Sequence, residues 1–137
     1  MRRIAPFLAR FRADARGAGA VEFALTLPFL LAMLYGIWEF GLAAWTQGIL
    51  DYSVEQAARC ASINTTTCGT STLTAAYAAS LTSPLNLASS TFTVSTATCG
   101  NLVTASYVMN FVSNMPLFGG NLFPTSVTLT SQSCYPI

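Results

Sequence analysis

Two groups of side chains in this sequence could do chemistry. One is a single carboxylate, Glu22, at the head of an uncharged run from Phe23 to Trp38. The other is a set of four cysteines, Cys60, Cys68, Cys99 and Cys134. An acidic residue at the centre of a membrane helix costs roughly 2.5–3.5 kcal/mol on insertion scales, so Glu22 needs a partner or a use. Four cysteines in an oxidising compartment point to two disulfides. Other chemistry is poorly supplied. The chain has no His and no Lys, and from Cys60 to Ile137 it has no charged residue at all. General acid–base work there would fall to Tyr, Cys and the terminal carboxylate, and the many Ser and Thr have no base to activate them. The same region cannot neutralise phosphates, which argues against nucleic-acid binding. No C-x-x-C spacing and no imidazole means no metal site is expected, and no cofactor.

The elements that position these groups can be read from charge and hydropathy. Arg2, Arg3, Arg10, Arg12 and Arg16 all precede the apolar run, and only Asp14 offsets them. The positive-inside rule leaves that end in the cytoplasm and places the rest beyond the inner face. The uncharged run alone makes about 24 Å of helix, short of the roughly 30 Å hydrocarbon core. Extension to Trp45 gives a span of about residues 20–45, with Tyr35, Trp38 and Trp45 toward its far end, where aromatic belts occur. Pro28 lies inside it, which a membrane helix tolerates. Glu39 either reaches the outer interface or makes a second polar contact within a bundle. Ala32/Gly36 and Ala44/Gly48 have the small-xxx-small spacing of close helix contacts.

No proline interrupts Trp45 to Cys60, where Asp51, Glu55 and Arg59 recur every four residues. Asp51 and Glu55 repel slightly, and Glu55 and Arg59 attract. One continuous helix is predicted from Ala18 to Ala61, its second half packing one face on the C-terminal domain. Asn64–Gly69 reads as a loop, and Asn64-Thr65-Thr66 matches a glycosylation sequon. Thr70 to Leu81 reads as a short helix with Leu73, Ala76, Tyr77 and Leu81 on one stripe, capped by Thr70 or Ser71 and stopped by Ser83-Pro84. Period-two alternation then takes over. Phe92 and Val94 share a face of one strand, and Val103, Ala105, Tyr107, Met109 and Phe111 share a face of the next, across a tight turn at Cys99-Gly100-Asn101. A longer link from Asn114 to Pro124 leads to a third strand with Val127 and Leu129. Ser and Thr make up 27 of the 78 residues from Cys60 on. That could signal a disordered stalk, but the alternation and the cysteines favour a folded domain.

The fold class is therefore α+β: a long N-terminal helix, a short helix and a small three-stranded antiparallel sheet. Its topology constrains the cysteines. Cys99 lies at the first hairpin, and Cys134 ends a third strand that returns to the same sheet edge, so Cys99 pairs with Cys134. Cys60 and Cys68 then close a short loop at the end of the long helix. Each bridge adds about 2–4 kcal/mol to a small core.

The order of parts at the N-terminus carries a family resemblance. A cleaved secretory signal runs basic, apolar, then small. Here Gly17-Ala18-Gly19-Ala20 stands between the basic and the apolar parts. That order, with Glu22, resembles the type III signal of type IV pilins and pseudopilins. The run Ala20-Val21-Glu22-Phe23-Ala24-Leu25, followed by Leu27-Pro28, looks specifically like the TadE-like proteins, minor pseudopilins of the tight-adherence (Tad) pilus. The major Flp pilins of that system have Glu-Tyr where this chain has Glu22-Phe23. The resemblance implies a cut after Gly17 on the cytoplasmic side, making Ala18 the first mature residue and giving Glu22 and Phe23 assembly roles. It divides the chain into a leader (1–17), a long helix (18–61) and an exported domain (62–137). The new amine at Ala18 lies one helical turn from Glu22, and in the resembled family Glu22 would meet the amine of a neighbouring subunit. The implied partners are the prepilin peptidase, the Flp major pilin, other Tad pseudopilins, the inner-membrane assembly platform and the lipid bilayer. The implied place is a bacterial inner membrane, single-pass, with the C-terminal domain outside and entry into the pilus open. The alternative is an uncleaved, membrane-anchored binding or adhesin module.

Overall fold

A computed structural model describes residues 17–111 and 126–136. Its first element, α1, runs from Ala18 to Ile63. The chain divides into two compact units between Phe40 and Gly41, a boundary that falls inside α1.

In the first unit α1 covers residues 18–40, about 34 Å at 1.5 Å per residue. The helix continues through Pro28. Leu30, Leu31, Met33 and Leu34 are all exposed. At 100° per residue these positions cover every side of the helix, so the first half has no inward stripe. A helix that is apolar all round suits lipid rather than a protein surface. Among the described residues α1 is the one helix long and apolar enough to cross a membrane.

In the second unit the same helix acquires a face. Thr46, Leu50, Ser53, Val54, Ala57 and Ala58 are buried, at spacings of three and four. A single turn, α2 (Thr65–Cys68), and a ten-residue helix, α3 (Ser71–Ser80), come next. A short 3-10 turn (Ser89–Thr91) leads into β1 (Phe92–Ala97), β2 (Gly100–Asn110) and β3 (Ser126–Tyr135). The sheet has the order β1-β2-β3 and is antiparallel throughout. Its register pairs Val94 with Val103, Phe92 with Ala105, and Tyr107 with Leu129. The core joins Leu50, Val54, Ala57 and Ala58 of α1 and Ala75 and Ala78 of α3 to Phe92, Val103 and Ala105 of the sheet. The alternation expected for the strands is present. Even positions of β2 from Ser106 to Asn110 face out, while Val103 and Ala105 are buried.

Ala97 pairs with Gly100, so the first hairpin closes over two residues, Thr98 and Cys99. Gly100 has φ +122°, and a Cβ there would lie 2.1 Å from the Tyr135 carbonyl oxygen. Only glycine fits the backbone and the close approach.

Three local expectations are corrected. The long helix ends at Ile63 rather than Ala61. Residues 64–69 are not a plain loop: Asn64 Oδ1 accepts from the amides of Thr66 (3.1 Å) and Thr67 (3.0 Å) and nucleates α2. The buried face of α3 is Thr74, Ala75 and Ala78, while Leu73 is exposed. Small side chains let α3 come close, and the Thr74 hydroxyl can be buried because the carbonyl oxygens of Cys68 and Thr70 both lie 3.0 Å away. Thr70, not Ser71, caps α3 by accepting from the Leu73 amide at 3.3 Å. The expected link from Asn114 to Pro124 and the residues before Gly17 lie outside the described residues.

Candidate processing and assembly segment

Gly17 is exposed and stands directly before α1, whose first residue is Ala18. The first amides of a helix have no carbonyl partner within it and carry partial positive charge. Glu22 lies four residues past Ala18, on the same face one turn on. It is exposed, and its carboxylate has no hydrogen-bond or ion-pair partner among the described residues. Its backbone carbonyl does have one: Thr26 Oγ1 lies 3.1 Å from the Glu22 oxygen and 3.2 Å from that of Phe23. Thr26 thus satisfies its hydroxyl on its own helix, as a polar side chain facing lipid must. Phe23 projects outward, 62% exposed.

Glu39 is in a different state. Tyr35 donates its hydroxyl to Glu39 Oε1 within the same helix. The second carboxylate of the apolar run therefore has a partner one turn away, and the first does not. The interface and bundle readings of Glu39 both omit this bond. Its signal is the Tyr-to-Glu spacing of four.

The cysteines form two bridges, Cys60–Cys68 and Cys99–Cys134, and no thiol is free. The first ties the end of α1 to α2; the second ties the β1–β2 turn to the end of β3. A polar cluster lies beside them. Ser62 Oγ sits 3.3 Å from the Tyr135 carbonyl oxygen and accepts from Asn101 Nδ2 at 3.2 Å. At the other end of the α1–β3 contact, Gln47 Nε2 donates to the Thr130 carbonyl (3.1 Å) and to Asp51 Oδ1 (2.9 Å). Gln47 and Ser62 escape a reading of the sequence, because nothing local marks a side chain that reaches a distant strand.

The chemistry available is therefore not catalytic in form. With both bridges closed there is no thiolate, and buried hydroxyls such as Thr46 and Ser53 donate to their own helix carbonyls. What the segment offers is a small-residue peptide bond at a helix start and an unpartnered carboxylate one turn beyond it.

Residues 17–59 match the family model described as TadE-like protein. The match opens at Gly17, includes Glu22 and Phe23, and stops before Cys60, so the sheet and both disulfides lie outside it. No curated protein and no solved structure matches the chain. Through its long helix, with Gly17, Glu22 and Phe23 at its head, the chain belongs to the TadE-like proteins of the Tad pilus system.

Proposed function

We propose that this protein is a minor pseudopilin. A prepilin peptidase cuts it after Gly17 on the cytoplasmic side, and it then takes part in priming or tip assembly of a Tad pilus used in surface adherence. The carrying observation is the contrast at the head of α1. The helix begins at Ala18, and the carboxylate one turn later has no partner among the described residues. Removal of the leader supplies a cationic amine at that place. In an apolar setting such a pair recovers part of the burial cost and fixes register. The α1 segment from about residue 20 to 45 anchors the chain in the inner membrane, with the disulfide-closed domain outside. Its partners are the peptidase, the Flp major pilin, other Tad pseudopilins and the assembly platform. The part is structural, without a catalytic residue or cofactor.

The test is a Gly17→Val substitution, with the membrane-bound form followed by immunoblot in cells with and without the peptidase. The wild-type chain should shorten by the leader only when the peptidase is present. The variant should keep full length in both. A wild-type chain of full length in both strains would contradict the proposal and favour the uncleaved anchored module.

A further inference from the structure

The sheet has two outer edges, β1 and β3, with β2 between them. Both outer strands run antiparallel to β2, so they run parallel to each other. Open edges invite pairing, and proteins usually guard them with charge, proline or an extra residue. Neither strand here has such a guard. Phe92–Ala97 and Ser126–Tyr135 contain no charged residue and no proline. No described strand pairs with the outer edge of either. Beside β3 lies a groove of about 420 Å³, formed by Ser131–Tyr135 and by Asp51, Val54, Glu55 and Arg59 of α1. These three charged residues are the only ones after Glu39.

We propose that β3 of one copy accepts β1 of a second copy as a parallel neighbour, so that copies join head to tail. Strand direction selects this arrangement. Pairing β3 with β3 needs a twofold axis that reverses the second copy, which would set its α1 antiparallel to the first. Copies whose α1 helices are anchored in one membrane must keep α1 in the same direction. A copy displaced sideways without reversal does so and brings β1 alongside β3. Such a contact is heterologous, and it grows into an open array instead of closing as a dimer. Electrostatics permit it, because an uncharged β1 enters a groove whose two carboxylates and one guanidinium nearly balance. The exposed hydroxyls of Thr93, Ser95 and Thr96 find polar partners there. Main-chain bonds give the affinity, as in other strand additions. A short parallel ladder is weak alone, and confinement of many copies raises the effective concentration. The inference rests on α1 being a membrane anchor, not on removal of the leader.

Thr93 and Gln132 both pair with Thr104 across the sheet, so they share one face and one row. The test uses the full chain in membranes, with two differently tagged copies and a short bismaleimide. The native cysteines are bonded and do not react. A Gln132→Cys copy beside a Thr93→Cys copy should give a mixed dimer band, absent when either variant is paired with itself. Adding Thr96→Lys to the β1 partner should reduce that band. Self-paired bands as strong as the mixed one would overturn the proposal, as would a Gln132 product containing a different protein. So would no product from chains that keep both disulfides by non-reducing mass and remain in the membrane after carbonate washing. Loss of the chain from the washed membrane would instead contradict the anchor reading itself.

Discussion

The two halves of α1 share one helix and differ in what surrounds them. From 18 to 40 the large side chains are exposed on all sides, and Phe29, Met33 and Ile37 project outward on successive turns. From 41 to 63 a stripe of six buried positions runs down one side, and half of that stripe is Ala or Ser. The first half is made for a solvent that accepts hydrocarbon in every direction, the second for one neighbour at close range. Each half also handles polar groups differently. The buried hydroxyls of Thr46 and Ser53 are satisfied by their own helix, whereas Glu22 is left for a partner outside the described residues. Helix formation is thus the common property of the two halves, and the pattern of small and large side chains separates anchor from core.

The comparison can be broken most severely through the disulfides, which serve only the second half. Replacing Cys99 and Cys134 together by Ser opens a loop of sequence separation 35, and replacing Cys60 and Cys68 together opens one of separation 8. Loop-closure entropy predicts losses of about 3.8 and about 2.5 kcal/mol respectively. Denaturant unfolding in detergent checks the order, which the account requires. Next, Leu50→Ala removes a fully buried side chain and should cost about 3 kcal/mol of domain stability. Leu30→Ala, from the exposed half, should leave the same unfolding midpoint unmoved. Equal effects would erase the distinction between the halves. The smallest effect is at the cap of α3. Thr70→Ala loses the bond to the Leu73 amide and should cost about 1 kcal/mol, measured in the same unfolding experiment.

Legibility in the sequence divides along the same line. The strands can be read because Phe92/Val94 and Val103/Ala105/Tyr107 alternate strictly, and alternation fixes both register and face. Strand direction then brings Cys99 and Cys134 to one edge, the pair that is bonded. The face of α3 is misread because Leu73 and Leu81 outweigh Thr74 on hydropathy, while the fold buries Thr74 by bonding its hydroxyl. The turn at Thr65–Cys68 is missed because three consecutive threonines favour no helix, and the cap at Asn64 supplies what propensity does not. The Tyr35–Glu39 bond and the reach of Gln47 to Thr130 are side-chain choices that periodicity does not encode. At the head of α1 the types and order of Gly17, Glu22 and Phe23 are legible because they lie close together in one short run, and the match over residues 17–59 begins there.

The central claim is that Glu22 waits for an amine made by cutting before Ala18. The most direct test is the N-terminal sequence and intact mass of protein extracted from membranes, with and without the prepilin peptidase. The account predicts a start at Ala18 only when the peptidase is present, with a mass four protons below that of the fully reduced chain. A start at Met1 in both strains would contradict it and leave Glu22 without the partner proposed for it.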